Sequence, residues 1–189
     1  SGDEEHIMNG MRKTTRYLVR QSEKMSDVHI VQSEDIESFL KLYKETSKRH
    51  GFVEHHQVKT EYDIFKAAGR ATLYLGYHNK ELLAGAIIVF FGNQGIYRHG
   101  ASIPSKIPVA YGIQWKAIQE TKRRGLGIYN FWGIAPEDKE NHPWRGITLF
   151  KKGFGGEIHQ YIHAQDMPLS PKYWITYGIE AFRRMKKGY

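Results

Sequence analysis

The sequence predicts one α/β domain in which helices flank a mixed, largely antiparallel sheet. Helical and strand-like periodicities alternate along the chain. Three strand-like runs follow one another with only the turn sequences "HNKE" and "GNQG" between them, which is typical of antiparallel hairpins. The 189 residues, of which 40% are hydrophobic, suffice to bury one core rather than two.

Helices and one strand are expected in the first third of the chain. The spacing of apolar residues predicts a helix over 11–24 and a short strand over 28–31. Ser33 is a suitable cap for a second helix, which Gly51 would end. A shorter helix is expected over 60–68.

The middle of the chain supplies the predicted sheet. We expect strands over 71–77, 82–91 and 95–99, with 82–91 at the centre. Pro108 can open the next helix, because the first helical turn does not use the amide hydrogen that proline lacks. Gly125 is expected to end that helix.

The last third of the chain continues the alternation. "IYNFWGI" (128–134) predicts a strand, which a helix over 144–151 and a strand over 157–163 would follow. The apolar residues of a final helix share one face: Trp174, Tyr177, Ala181, Phe182 and Met185. We interpret residues 1–10 as a linker or cloning remnant, and 11–189 as a single domain.

Charge and composition narrow the classes of partner and chemistry. The excess of 28 Lys and Arg over 20 Asp and Glu favours an anionic partner, such as nucleic acid, a phosphorylated ligand or a membrane surface. The absence of cysteine excludes disulfides, thiolate nucleophiles and cysteine-ligated zinc. "HGFVEHH" lacks the spacing of a zinc motif, so we expect no metal. We also expect a cytoplasmic protein without a transmembrane segment.

Five motifs occur in order: "MRKTTRYLVRQSEK" (11–24), "YRHGAS" (97–102), "WKAIQETKRRG" (115–125), "YNFWGI" (129–134) and "FKKGFGG" (150–156). Together they resemble the FemABX family of peptidoglycan aminoacyltransferases, and the order of elements is similar to the GCN5-related N-acetyltransferase fold. Members usually carry two acetyltransferase-like domains. The resemblance therefore implies that this chain is the C-terminal domain of a longer transferase, half of the family architecture, or else a shortened relative.

The resemblance implies transfer of an amino acid from aminoacyl-tRNA to the stem-peptide amine of a peptidoglycan precursor, lipid-linked or UDP-linked. Contact with the inner face of the membrane would then be peripheral. An activated ester reacts with an amine without a cofactor, but the reaction needs positioning and stabilisation of an oxyanion. Two alternatives stay open: a coenzyme A dependent N-acyltransferase of the same fold, and a non-catalytic domain that binds RNA or precursor.

Lys151 is the candidate catalytic residue. Phe150 and Lys151 match the family's Phe-Lys pair, which is tied to the aminoacyl end of the tRNA. A lysine held among aromatic side chains can stabilise an oxyanion through its compact charge. The alternative is that Lys151 and Lys152 merely complement the dipole at a helix C-terminus.

Basic residues on the first helix form a second candidate site. Arg12, Arg16, Arg20 and Lys24 recur every four residues and so share one helix face, where like charges repel. Such a stripe indicates an anion, either RNA phosphate or a pyrophosphate-linked precursor, and we include Lys152 among these anion contacts. The alternative is an ordinary solvated face.

The resemblance also implies substrate contacts at Tyr97, Ser102, Tyr129 and His55. Strand packing for Tyr97, turn chemistry for Ser102 and surface exposure for His55 are the alternatives. Asn130 stands where relatives usually have aspartate, which weakens any proposal of a base there.

Two further segments are given structural interpretations. Trp115 and Trp132 are expected in the core. "KRRGLG" (122–127) is similar to the loop with which acetyltransferases hold the coenzyme A pyrophosphate, but it can equally end a helix.

Overall fold

A five-stranded sheet forms the centre of the protein, as a computed structural model shows for residues 4–50, 57–136, 142–162 and 165–187. Its strands are β1 Val28–Ser33, β2 Ala71–His78, β3 Glu81–Phe91, β4 Gln94–Ser102 and β5 Ile128–Asn130. They lie in sequence order, with antiparallel pairing up to β4 and parallel pairing between β4 and β5. The predicted fold class and the central place of 82–91 are thus confirmed.

Helices cover both faces of this sheet. They are α1 Glu4–Gly10, α2 Lys13–Lys24, α3 Ile36–His50, α4 Val58–Ala67, α5 Val109–Arg123, α6 Arg145–Lys152 and α7 Tyr173–Lys187. Phe39 of α3 and Tyr62 of α4 pack on one face, and Val109 and Ile113 of α5 pack on the other. A third cluster joins α1, α2 and α5, with Val19 and other apolar side chains against Trp115.

Turn chemistry sets the ends of several elements. Asn79 and Lys80 both adopt positive φ angles, 47° and 71°, as the tight hairpin between β2 and β3 requires. The cap of α3 is Asp35 rather than the expected Ser33, because the Asp35 carboxylate accepts the Ser38 N–H at 3.0 Å. Pro108 precedes α5 as predicted.

An extra residue in β4 divides that strand into two halves. Tyr97 pairs with Ile88 and His99 pairs with Ile87, which leaves Arg98 without a partner in the ladder. Tyr97 therefore faces the α5 side of the sheet, whereas His99 contacts Tyr43 on the α3 side. Without the bulge, both would lie on one face.

The sheet opens between β4 and β5. The parallel ladder contains only three residue pairs, Gln94–Ile128, Gly95–Tyr129 and Ile96–Asn130. Beyond them the chain leaves β4, and residues 131–136 form no regular element. The resulting wedge between the second half of β4 and residues 131–133 holds the candidate site.

The C-terminal part differs most from expectation. The predicted strand over 157–163 is wrong for its described residues 157–162, which are exposed and pair with no strand, since β5 is too short to offer an edge there. α7 forms as predicted, but its apolar face is exposed, with Trp174 at 61% and Phe182 at 65%.

The first residues also carry structure. Glu4–Gly10 falls within the segment expected to be a linker, yet it forms α1, and Met8 packs in the same cluster as Trp115. The division into domains stays a prediction. No helix among the described residues is long and apolar enough to cross a membrane.

Candidate active site

Six aromatic rings line the wedge between β4 and β5, and we call them the aromatic cluster. Its members are Tyr97, Tyr111, Tyr129, Phe131, Phe150 and Phe154. Neighbouring ring centroids lie 4.9 to 6.5 Å apart, mostly edge to face. Four separate parts of the chain thus meet in one aromatic cluster.

Lys151 points into this cluster. Its side chain is almost buried, with 8% of the residue exposed, and Nζ donates a hydrogen bond of 2.6 Å to the Gly133 carbonyl. The ammonium also lies 5.6 Å from the centroid of the Tyr97 ring. Lys152, the next residue, is exposed. The two lysines at the end of α6 therefore occupy different environments.

The titration of Lys151 and Tyr97 reflects this burial. Burial lowers the pKa of Lys151 to about 8, while the Gly133 carbonyl and the Tyr97 ring favour its charged form. Burial raises the pKa of Tyr97 to about 12, so the phenol keeps its proton at neutral pH. Within the described part of the chain, the Tyr97 hydroxyl has no hydrogen-bond partner. The site therefore offers an ammonium and a phenol as donors.

A turn after β5 brings the Gly133 carbonyl to Lys151. Asn130 Oδ1 accepts the Trp132 N–H at 2.8 Å, and Asn130 Nδ2 donates to Gln94 Oε1 at 2.9 Å. The chain then passes through a left-handed conformation at Trp132, where φ is 63°. Asn130, noted from the sequence only as a lost carboxylate, is thus a residue that shapes the site.

Trp132 does not lie in the core, and the expectation that it would is wrong. The left-handed turn directs it outward, and 54% of the residue is exposed, whereas Trp115 is 3% exposed as expected. The Arg98 guanidinium lies 5.4 Å from the Trp132 ring centroid. A preference of tryptophan for the interior could not reveal this turn, since the turn depends on the Asn130 side chain.

Tyr129 and Ser102, both predicted to bind substrate, have protein partners. The Tyr129 hydroxyl donates to Gln114 Oε1 at 2.7 Å inside the core. The Ser102 backbone binds Thr46, since its N–H donates to Thr46 Oγ1 at 3.1 Å and its carbonyl accepts from the same hydroxyl at 3.0 Å. Ser102 lies five residues along β4 from Tyr97, and His55 lies outside the described residues.

The basic stripe begins beside the end of α6. The Arg12 N–H donates to the Gly153 carbonyl at 2.9 Å, which ties the start of α2 to the residue after Lys152. Arg16 donates to Asn9 Oδ1 at 3.2 Å. Arg12, Arg20 and Lys24 are exposed. Three of the four cations in the stripe are thus on the surface, and α2 itself is joined to the helix of Lys151.

A carboxylate network that the sequence did not indicate lies on the other face of β4. Glu61 Oε1 accepts a hydrogen bond of 2.5 Å from Arg98 Nε, and Glu61 Oε2 accepts one of 3.1 Å from His99 Nε2. Although burial raises the pKa of Glu61, these two bonds outweigh it and lower the pKa below its ordinary value. No spacing in the sequence could find this network, because Glu61 lies on α4, far from β4 along the chain.

"KRRGLG" lies at the C-terminus of α5. Arg123 and Arg124 both bind the Glu120 carboxylate, and Gly125 adopts a φ of 73° that ends the helix. The carbonyl end of a helix repels a pyrophosphate, which prefers the amides of an N-terminus. The segment therefore acts as a helix cap.

Known proteins share both sequence and fold with this chain. FemA aminoacyltransferase of Staphylococcus epidermidis is 28% identical over 96 residues, which is 51% of this chain and 21% of FemA. FemA of Staphylococcus aureus is 28% identical over 86 residues, 46% of this chain and 19% of that protein. The chain thus spans about a fifth of these curated relatives.

Solved structures agree on the fold. The crystal structure of FemX superposes with a TM-score of 0.72 at 18% identity, covering 82% of this chain and 56% of FemX. An acetyltransferase from Clostridium acetobutylicum, solved with acetyl-CoA, gives a TM-score of 0.54 at 15% identity and covers 73% of this chain and 96% of its own. The model of the FemAB family matches residues 72–180, more than half of the chain. By that match, this chain belongs to the FemAB family.

Proposed function

We propose that this chain is the C-terminal, acyltransferase-like domain of an enzyme that transfers an amino acid from aminoacyl-tRNA to the stem-peptide amine of a peptidoglycan precursor. The FemA relatives support the reaction class through their name, aminoacyltransferase. The observation that carries the proposal is the buried Lys151 ammonium beside Tyr97. The enzyme would act in the cytoplasm, on a UDP-linked precursor or on a lipid-linked one at the inner membrane face.

The chemistry follows from the donors in the wedge. The acceptor amine attacks the ester carbonyl carbon, a C–N bond forms, and the carbonyl electrons move to oxygen. When this oxyanion collapses, the bond to the ribose oxygen breaks, and the proton lost by the amine ends on that oxygen. Lys151 has three N–H donors and uses one for Gly133, so two can bind the oxyanion together with the Tyr97 hydroxyl.

Substitution of Lys151 tests the proposal. We expect Lys151→Met in the complete transferase to lower the rate of transfer about 10² to 10³-fold, as loss of one preorganised donor does in other enzymes. The assay follows a labelled amino acid from charged tRNA to the precursor, with thermal melting measured beside it. Folding should survive, because methionine fills a similar volume.

Lys152→Met is the matched control. Lys152 is exposed, and one step along a helix turns the side chain by about 100°. We expect Lys152→Met to transfer at nearly the wild-type rate when aminoacyl-tRNA is saturating. If Lys151→Met transfers at the wild-type rate, or if both lysines act only through lost stability, the catalytic role of Lys151 is wrong and the non-catalytic alternative gains support.

A coenzyme A dependent acyltransferase is the second candidate, because a neighbour of the same fold was solved with acetyl-CoA. The position of "KRRGLG" speaks against it, since those residues cap the C-terminus of α5. Calorimetric titration with coenzyme A separates the two functions. Tight, saturable binding would favour the second candidate, and we expect none.

A further inference from the structure

We propose that Trp132 is a stacking platform for the 3′-terminal nucleobase of the RNA donor. This inference rests on the proposed function and assigns a part of the site to the RNA. It depends on three observations: the conformation of Trp132, its pairing with Arg98, and its position next to Gly133.

The conformation of Trp132 is not explained by the packing of the protein. A bulky residue with a φ of 63° is strained, and 54% of this tryptophan faces solvent, so burial offers little to offset the strain. The Asn130 side chain holds the turn in place through the Trp132 N–H. An indole that is presented outward and held there is suited to bind a flat ligand.

Arg98 adds a fixed cation to the indole. Its guanidinium lies 5.4 Å from the Trp132 ring centroid. Arg98 Nε and Nη2 donate to the two Glu61 oxygens at 2.5 and 3.3 Å, which leaves Nη1 without a partner among the described residues. Aromatic faces beside arginine are the features by which proteins bind unpaired bases and their phosphates.

The platform lies next to the proposed reaction centre. Gly133 follows Trp132 directly, and its carbonyl binds Lys151 Nζ at 2.6 Å. Trp144, itself 48% exposed, approaches Gly133 closely, since a Cβ there would lie 3.8 Å from Trp144 Cζ3. The ester of an aminoacyl-tRNA is carried by the ribose of the terminal nucleotide. Trp132 therefore adjoins, in the chain, the residue whose carbonyl binds the ammonium, and a base stacked there would bring the ester towards that residue.

The acceptor peptide fits this surface less well. The stem peptide has no π-face to stack on the indole, although its carboxylates can pair with a guanidinium. A purine has both a π-face and, through its phosphate, a negative charge for Arg98. A UDP-linked precursor also has a base and phosphates, but its base is separated from the reacting amine by the pyrophosphate, the sugar and the peptide. In aminoacyl-tRNA the ribose of the terminal base itself carries the reacting ester, which favours RNA at a surface beside Gly133.

The test compares Trp132→Leu with Trp132→Phe in the complete transferase. Leucine keeps apolar bulk without a π-face, whereas phenylalanine keeps a π-face. Binding of a dye-labelled ribotrinucleotide ending in adenosine is measured by anisotropy, and KM is measured for aminoacyl-tRNA and for the precursor. We expect Trp132→Leu to weaken binding and raise the KM for aminoacyl-tRNA about 10-fold. Trp132→Phe should change both less than about 3-fold, with the precursor KM unchanged in each variant.

Trp174→Leu is the control, because Trp174 is exposed to a similar extent but lies on α7. Thermal melting verifies that each variant folds. If Trp132→Leu does not fold, Trp132→Gly replaces it, because glycine also lacks a π-face and adopts a φ of 63° without strain. Unchanged binding and KM in folded Trp132→Leu would overturn the inference, and so would a rise in the precursor KM alone. If wild type transfers nothing from aminoacyl-tRNA, the proposed function fails. Trinucleotide binding by wild type and Trp132→Leu then still decides on stacking.

Discussion

Lys151 couples the stability of the protein to pH. The buried group has a pKa of about 8, against an ordinary value of 10.5. Between these values the unfolded chain binds more protons than the folded one, so the free energy of unfolding rises with pH. Below pH 8 the cost of burying the ammonium is fully present. The buried ammonium therefore destabilises the fold in the same pH range in which its charge is available to stabilise an oxyanion.

We expect the free energy of unfolding of wild type to rise by up to about 3 kcal/mol, relative to Lys151→Met, between pH 7 and pH 10. Urea unfolding at both pH values measures this difference, and other titrating groups cancel because both proteins share them. Lys152→Met should retain the wild-type rise, since it leaves the buried Lys151 in place. Parallel pH dependences of wild type and Lys151→Met would show that Lys151 is not perturbed.

The residues of the site differ in how far sequence could identify them. Recognisable motifs contain Lys151, Phe150 and Tyr97, and the structure places these three residues in one cluster. The exposure of Trp132 was out of reach because it depends on a turn held by the Asn130 side chain. The Glu61 bond to Arg98 was out of reach because it joins two segments that are distant in sequence. The type of a residue indicates which chemistry its side chain can perform, whereas the residues around it in the fold determine whether it does so.

At the scale of elements, β4 depends on a close approach between a glycine and an aromatic side chain. A Cβ added at Gly100 would lie 1.7 Å from the Tyr97 hydroxyl oxygen and 2.5 Å from the ring carbon that bears it. Tyr97 also packs against Phe131 and covers the Lys151 ammonium. The ring therefore cannot move without disturbing the wedge.

Gly100→Ala should lower the free energy of unfolding by about 1 to 3 kcal/mol, because the methyl group overpacks the strand and displaces Tyr97. Gly146→Ala in α6 is the opposite control. Apart from its chain neighbours and its own helix, no atom of the described residues lies within 4 Å of a Cβ there, so we expect a gain of about 0.5 to 1 kcal/mol. Urea denaturation of both variants gives the values. Equal changes in the free energy of unfolding at the two positions would mean that Tyr97 can move away from the added methyl group without destabilising the protein.

The boundaries of helices and strands were predictable where they depend on contacts between residues that are close in sequence. The hairpin around Asn79 and the start of α5 after Pro108 depend on residues close in sequence, and both were predictable. The strand expected over 157–163 required a partner strand, and its described residues have none. Strand pairing is non-local, so an apolar alternation alone does not establish it.

At the scale of the molecule, the described residues after Gly156 contribute little to the core. Residues 157–162 and 165–172 are exposed, and no described side chain of α7 is buried. Among the described residues, Phe154 is the last buried aromatic side chain, at 5% exposure. The core of the isolated chain is therefore complete by about residue 156.

A chain that ends at residue 160 should unfold with a free energy within about 0.5 kcal/mol of the whole chain, as expected for loss of exposed groups. Urea unfolding provides the comparison. A chain ending at residue 152 also loses Phe154 and should be destabilised by about 3 to 5 kcal/mol. If removal of 161–189 is as costly as removal of 153–189, the C-terminal helix packs on the core.

The unpaired Arg98 in β4 has a consequence for how this protein can vary in length. Tyr97 and His99 serve opposite faces of the sheet only because one residue interrupts the ladder between them. Any side chain at position 98 keeps the extra residue of the bulge, whereas deleting the residue would restore strict alternation of side chains between the two faces. Tyr97 would then turn away from Lys151, or His99 away from Glu61. For the fold of the strand alone, apart from the contacts of Arg98 with Glu61 and Trp132, we therefore expect exchange at position 98 to be tolerated far better than a gap.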